Sequence, residues 1–162
     1  MVVTVPKPTE DRYVAFSMSM LRNGSSKHQI TLVSAELIDA EGLELMDTFT
    51  VEPERQIAVG QGIPPQLGDT DEEQVDREQI ANWAARTPLT ESVMEPEDFA
   101  QLVLVIRVTT PDPCNGAKGF KLKYLENGRS HAVVSNLAMV VYSDLSTDQC
   151  EDLSDYYLAN PL

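Results

Sequence analysis

The side chains best suited to chemistry in this sequence are its two cysteines, Cys114 and Cys150. Cys114 lies in PDPCNG, a run of turn-forming residues that is too irregular for a core segment. Cys150 lies in STDQCEDLSDYYL, which predicts a short helix with Cys150, Leu153 and Tyr157 on one face. A disulfide between the two cysteines would hold this helix, with that face inward, against the loop before a predicted hairpin.

Two reduced thiols are the alternative to this disulfide, since cytosolic proteins keep their cysteines reduced. A zinc site needs a second Cys or His at short spacing, and neither cysteine has one. A blue-copper site needs two histidines close to one cysteine, but His28 and His131 belong to distant turns. The disulfide is the preferred interpretation, and it predicts an oxidising compartment.

The segment GDTDEEQVD places Asp69, Asp71 and Glu73 at alternate positions, as in a calcium-binding loop. It has glutamine where such a loop requires glycine, and isoleucine where it requires the final glutamate. A helix start explains these acids better, with Thr70 and Glu73 as a capping box. The prediction is therefore no metal and no cofactor, with calcium at these three carboxylates as the alternative.

Catalytic chemistry has little support in the sequence. His131 is expected to be a partly exposed packing residue opposite Tyr124 near the end of a hairpin rather than a base. No Ser or Asp is placed to complete a catalytic triad, and no glycine loop is placed to hold phosphate. The chain is therefore predicted not to be an enzyme.

The elements that position these residues are mostly strands. Residues 12–21 alternate between apolar and polar types, which predicts a half-buried strand with Met18 and Met20 filling the core. In the strand at 43–51, Asp47 shares the phase of the apolar residues, so a bulge or a strand end is expected near it. Further strands are predicted at 2–5, at 30–38 and at 99–110, the last with two partly apolar faces as in a central strand.

The clearest local prediction is a hairpin in GFKLKYLENGRSHAVVS. Asn127-Gly128 fits a two-residue type I′ turn, which would place Glu126 opposite Arg129 and Tyr124 opposite His131. The apolar phase then continues through Leu137, Met139 and Val141, which predicts one long final strand.

About seven strands with turn signals between them predict an all-β fold, an antiparallel β-sandwich in a single domain over 1–162. The strand rhythm is interrupted over 53–98 by a loop and helix excursion, with the helix expected from Thr70 to about Arg86. The acidic tail, 144–162, is predicted to be a short C-terminal helix tethered to the body.

The charge distribution limits the classes of partner. The net charge is −14, with ten acidic and two basic residues in 69–98 and five acidic residues and no basic one in 144–162. This balance excludes nucleic-acid binding, which needs clustered Lys and Arg. The acids favour solubility, or a surface for a cationic partner. No apolar run is long enough to span a bilayer, and MVVTVPKPTEDR does not read as a signal peptide, so this end leaves the compartment open.

Two stretches carry a family resemblance. YVAFSMSMLRNGSSKHQITLVSAELIDAEGLEL resembles the opening of immunoglobulin-like (telokin-like) domains of bacterial secreted proteins and lipoproteins. VIRVTTPDPCNGAKGFKLKYLENGRSHAVV is similar to envelope proteins of Gram-positive bacteria in which a cysteine precedes a hairpin. The resemblance implies an immunoglobulin-like β-sandwich at the cell surface and carries no functional residues.

These observations predict a non-enzymatic extracytoplasmic binding, adhesion or accessory module of a bacterial cell-envelope assembly, with another protein as its partner. The expected contact surfaces lie around Trp83, Tyr156 and Tyr157, although Trp83 is also expected to cap the end of the sandwich. The alternative is a calcium- or ligand-binding sensor that uses the acidic segment.

Overall fold

A computed structural model of the protein describes residues 2–6, 13–58, 60–61, 73–142 and 148–162. The two helices are α1 (Glu73–Ala84) and α2 (Asp148–Ala159), with a 3-10 turn at Leu89–Glu91. Neither helix has the length and apolar character needed to cross a membrane. The strands are β1 (Val2–Pro6), β2 (Tyr13–Arg22), β3 (Ile30–Ile38), β4 (Leu43–Val51), β5 (Gly60–Gln61), β6 (Thr87–Pro88), β7 (Val93–Met94), β8 (Phe99–Val108), β9 (Cys114–Ala117), β10 (Gly119–Glu126), β11 (Arg129–Ser135) and β12 (Ala138–Tyr142).

These strands form three sheets. The five-stranded sheet has the order β5-β2-β8-β4-β6 and the four-stranded sheet the order β11-β10-β3-β7, both antiparallel throughout. In the three-stranded sheet, β1-β12-β9, β1 runs parallel to β12 and β9 antiparallel to it. The fold is therefore mostly β with antiparallel sheets and two helices, which fits the predicted β-sandwich.

One hydrophobic core joins the three sheets. The five-stranded sheet contributes alternate residues of β2 and β8 to this core, because successive side chains of a strand point to opposite faces of the sheet. The core residues from the three sheets in turn include Phe16, Leu104 and Ile106, then Leu32, Phe120 and Leu122, then Ala117, Met139 and Val141.

The strand β8 is central, as its two apolar faces predict. Its residues Leu102, Leu104 and Ile106 face the main core, while Val103 and Val105 face a second cluster on the other side of the sheet. That second face is covered by residues from α1 and from the loop after β4, which is why β8 is buried along almost its whole length.

Bulges decide which residues of β2 and β4 are buried. The bulge expected near Asp47 is confirmed, because the pairing of β4 with β8 shifts between Leu45 and Asp47. A second shift lies between Phe16 and Ser19 of β2. It reverses the phase of the strand, so that Met20 is half exposed and the prediction that Met20 fills the core is wrong.

The hairpin prediction is confirmed in its register. Glu126 pairs with Arg129 and Tyr124 with His131, and both Asn127 and Gly128 have positive φ, as a type I′ turn requires. The prediction of one long final strand is wrong. The strand ends at Ser135, and β12 pairs instead with β1 and β9, although its alternate residues still point into the same core.

Candidate functional site

A disulfide joins Cys114, the first residue of β9, to Cys150 near the start of α2. The Cα atoms of the two cysteines are 5.4 Å apart, within the usual range for protein disulfides. The predicted disulfide is confirmed. It fastens the C-terminal helix to the three-stranded sheet.

The helix α2 covers the outer face of this three-stranded sheet. Tyr157 is buried against Ala138 and Val140 of β12, with Leu153 packed beside them. The ring lies so close to β9 that a Cβ on Gly116 would be 2.7 Å from it. Glycine at this position is therefore required for the contact between helix and sheet.

Tyr157 is one of the three aromatic residues predicted to contact a partner, and its burial leaves it almost no surface for one. Burial raises the pKa of its hydroxyl group to about 12, and the nearby Glu41 and Asp39 carboxylates act in the same direction. Its neighbour Tyr156 is exposed, with the Lys118 ammonium group 5.4 Å from the centre of its ring.

Trp83 at the end of α1 is also buried, so it packs in this structure rather than presenting a contact surface. Its ring meets the Phe49 ring edge-on at 5.7 Å. The Arg86 guanidinium group lies 4.3 Å from the centre of the Trp83 ring and stacks on Phe49 as well. Trp83 therefore closes the second cluster over the outer face of the five-stranded sheet.

The calcium candidates fall mostly outside the described residues. Asp69 and Asp71 lie there, and Glu73 is the first residue of α1. Across the ranges that the structure describes, no group of three or more His, Cys, Asp or Glu is arranged to hold a metal ion.

The surface best formed for contact with another chain is an edge strand that the sequence alone does not identify. The strand β11 borders the four-stranded sheet, and its one strand partner among the described residues is β10. Six of its seven residues are exposed, including Val133 and Val134, which are 50% and 48% exposed. We call the side of residues 129–135 that faces away from β10 the β11 edge.

The backbone of the β11 edge offers unused hydrogen-bonding groups. In a hairpin with a two-residue turn, the pair beside the turn, Glu126 and Arg129, is hydrogen-bonded, and such pairs recur at every second residue. Ser130, Ala132 and Val134 therefore direct their N–H and C=O groups away from β10. Among the described residues, no strand pairs with this side of β11.

The other sheet borders in the described part of the chain are protected by the devices that natural proteins use against edge pairing. β5, β6 and β7 are two residues long, and β6 contains Pro88. β1 ends at Pro6, and β9 contacts α2. The strands β2, β3 and β4 are interrupted by bulges, where their pairing with β8, β10 and β8 shifts in register. By contrast, SHAVVS in β11 has no proline, no bulge and no formal charge.

A cleft of about 280 Å³ opens beside the β11 edge, and we call it the end cleft. It lies where the four-stranded sheet passes the end of β2. Val133 borders it, and Tyr124, which stacks on His131 with 5.4 Å between ring centres, contributes to its wall. Half of the remaining lining residues are apolar, namely Leu21, Ile30, Leu32, Met94 and Leu122, and the others are Arg22, Asn23, Gly24, Ser25 and Glu126.

The charge near the β11 edge differs in sign from that of the whole chain. Four of the twelve basic residues lie in 118–129. Lys121 pairs with Glu36 at 3.0 Å, and this hydrogen bond lowers the pKa of the Glu36 carboxyl group. Within the described residues, no ion pair joins Lys123 or Arg129 to a carboxylate, so two cations beside the edge are available to a ligand.

No protein-family model matches the chain, and no curated protein matches it.

Proposed function

We propose that this protein is a non-enzymatic binding module of the extracytoplasmic space or cell envelope, with an immunoglobulin-like β-sandwich. Its binding site is the β11 edge, and its partner is an extended segment of another protein. The observation that carries the proposal is a seven-residue edge strand that is exposed and unprotected while the other described borders are short, bulged, covered or end in proline.

Strand addition is the binding mode that suits such an edge. An extended segment that pairs with β11 gains main-chain hydrogen bonds from Ser130, Ala132 and Val134, and a neighbouring pocket selects among its side chains. The end cleft, bordered by Val133, is placed to be that pocket.

A second copy of the chain fits this edge less well than a foreign segment. In the antiparallel pairing of two β11 strands that uses all three outward residues, Ala132 meets itself and Val133 faces His131 of the other copy. Because His131 is stacked on Tyr124 of the same copy, its side chain does not fill the end cleft of the other copy. The charge of −14 on each copy adds long-range repulsion.

The location outside the reducing cytosol is supported by the disulfide, because such bonds persist mainly in oxidising compartments. Labelling of thiols in protein taken rapidly from its native host tests this part. We expect no labelling without a reductant. Two labelled cysteines would overturn the proposed location.

The binding site itself is tested by a proline in the edge. In Ala132→Pro, the removed N–H group is one that points away from β10, so the hairpin is kept while the edge is blocked. Ala132→Thr is the matched control, since it keeps the N–H group and favours a strand. Random twelve-residue peptides displayed on phage are selected against the wild type and both variants.

We expect peptides that bind the wild type and Ala132→Thr but not Ala132→Pro. Peptides that bind all three proteins equally, or no enriched peptide at all, would refute the β11 edge as the site. Dimers of the purified protein that Ala132→Pro abolishes would show that the edge serves self-association instead. Circular dichroism of Ala132→Pro confirms that the variant is folded.

A further inference from the structure

We infer that the β11 edge selects antiparallel segments with a large apolar side chain at one position and an aspartate or glutamate four residues later. This selectivity rests on the proposed function, because it describes the ligand of the same edge. It follows from which residues of β11 share a face with the end cleft and which carry charge.

The first step is the register. Val133, His131 and Arg129 alternate along β11 on the face that pairs with Leu122, Tyr124 and Glu126, the side of the sheet that holds the core and the end cleft. Their backbone groups point to β10, so an added strand meets them as non-hydrogen-bonded pairs, in which side chains lie closest. Three successive alternate residues of an antiparallel ligand therefore face these three side chains.

The second step is the apolar anchor. The ligand residue opposite Val133 has its side chain at the mouth of the end cleft, whose lining is mainly apolar. The exposed half of Val133 and the partly buried Leu21 leave apolar surface that a leucine or phenylalanine would remove from water. The cleft volume of about 280 Å³ accommodates a side chain of this size.

The third step is the carboxylate. In an antiparallel ligand, the residue four positions after the anchor lies opposite Arg129. The Arg129 side chain is exposed, and no ion pair engages it within the described part of the chain. A carboxylate in this position would form a charge-assisted hydrogen bond, and Arg suits it because its planar guanidinium group can bind both oxygens.

Synthetic nine-residue peptides test the pattern by isothermal calorimetry. The probe has a leucine and, four residues later, a glutamate on a threonine and serine background. Three matched peptides replace the leucine by serine, replace the glutamate by glutamine, or move the glutamate one residue so that it falls on the opposite face. We expect the serine peptide to bind about tenfold more weakly or worse, and the other two about two- to fivefold more weakly.

Two protein variants separate the contacts. Arg129→Gln is expected to abolish the preference for glutamate over glutamine, whereas Lys123→Gln removes the same charge from the opposite face of the sheet and keeps that preference. Val133→Phe extends a side chain into the end cleft and is expected to abolish the preference for leucine over serine. Each preference is the ratio of the affinities of two peptides for the same protein variant. A small loss of stability lowers both affinities equally and leaves this ratio unchanged.

The failures of the two proposals are distinguishable. If displayed peptides bind in a manner that Ala132→Pro abolishes, but lack this spacing, the β11 edge remains the site and the inferred pattern is wrong. The same conclusion follows if the leucine probe binds no better than its serine and glutamine counterparts. If Arg129→Gln leaves the glutamate preference intact, Arg129 is not its cause and the carboxylate contact is refuted.

Discussion

The three-stranded sheet and the four-stranded sheet differ in whether an outer side of the sheet is covered by another element. The outer face of β12 is covered by α2, and a disulfide between Cys114 and Cys150 fastens that cover. The outer side of β11 has no such cover in the described part of the chain, although it is longer than β12 and almost entirely exposed. The face of β12 under α2 therefore contributes to stability, whereas the β11 edge remains accessible to a partner. The two roles lie on different sheets.

This difference predicts that substitutions in the two regions have opposite consequences. Changes around α2 should lower the free energy of unfolding and leave the affinity of the β11 edge for peptides almost unchanged. Changes on the β11 edge should do the reverse.

The largest effect on stability is expected from removing the disulfide. Cys114→Ser combined with Cys150→Ser opens a loop with a sequence separation of 36 residues. The gain in entropy of the unfolded chain should lower the free energy of unfolding by about 3–4 kcal/mol, measured by urea denaturation. Reduction of the wild type should give the same loss. A loss below about 1 kcal/mol would mean that packing alone holds α2.

The second-largest loss of stability is expected when a methyl group is added beneath the Tyr157 ring. In Gly116→Ala the new methyl group would lie 2.7 Å from the Tyr157 ring and 3.0 Å from the Met139 carbonyl oxygen. Such overpacking should cost about 1–3 kcal/mol of unfolding free energy. Gly24→Ala is the matched control, because nothing lies within 4 Å of its new Cβ. Equal stability of the two variants would contradict the close contact between helix and sheet.

A smaller effect, visible only in alkali, is expected from Tyr157→Phe. The pKa of Tyr157 is raised from 10.0 to about 12 in the folded protein. Its contribution is therefore complete below pH 10 and is lost as the pH rises through 12, because the unfolded state ionises first. Urea denaturation at pH 9 and 11 should show a smaller alkaline loss in Tyr157→Phe than in the wild type. Tyr156→Phe, on the exposed neighbour, should reduce the alkaline loss less than Tyr157→Phe does, because the Tyr156 charge is the smallest of the causes that raise the pKa of Tyr157.

The smallest effect on stability is expected on the β11 edge. Val134→Thr keeps the β-branched shape at a residue that is 48% exposed, and it should change the free energy of unfolding by less than about 0.5 kcal/mol. Its thermal unfolding is compared directly with that of Gly116→Ala. A loss as large as that of Gly116→Ala would show that the edge is part of the stabilising structure, and the contrast between the two sheets would fail.

Local patterns predicted those features that depend on neighbouring residues. The register of the hairpin follows from Asn127-Gly128, because only a few residues tolerate two consecutive positive φ angles. The bulge near Asp47 follows from a polar residue in an apolar phase. The disulfide is the preferred interpretation of two cysteines that lack metal-ligand spacing, with two reduced thiols as the alternative, and it turns the helix face of Cys150 and Tyr157 inward.

Features that depend on distant pairing were missed or wrongly predicted. The bulge in β2 lies within a regular alternation of Ser and Met, so no break in phase reveals it. Met139 and Val141 keep the apolar alternation of the hairpin because they point into the same core from a different sheet. The alternation shows which residues are buried but does not identify the strand that β12 pairs with. The β11 edge is the extreme case, since a strand becomes an edge only through the order of the whole sheet.

The parallel pairing of β1 with β12 joins two strands that are far apart in the sequence. Val2 pairs with Ala138, a separation of 136 residues, so this pairing closes a long loop at a large cost in chain entropy. Contacts this far apart in sequence form late. The strand β9 also takes its ladder partner from β12, and the cysteine at its start is bonded to a helix that follows β12 in the sequence. The β10–β11 hairpin needs no such distant partner, so the edge that we propose for binding can be complete before the rest of the molecule is closed.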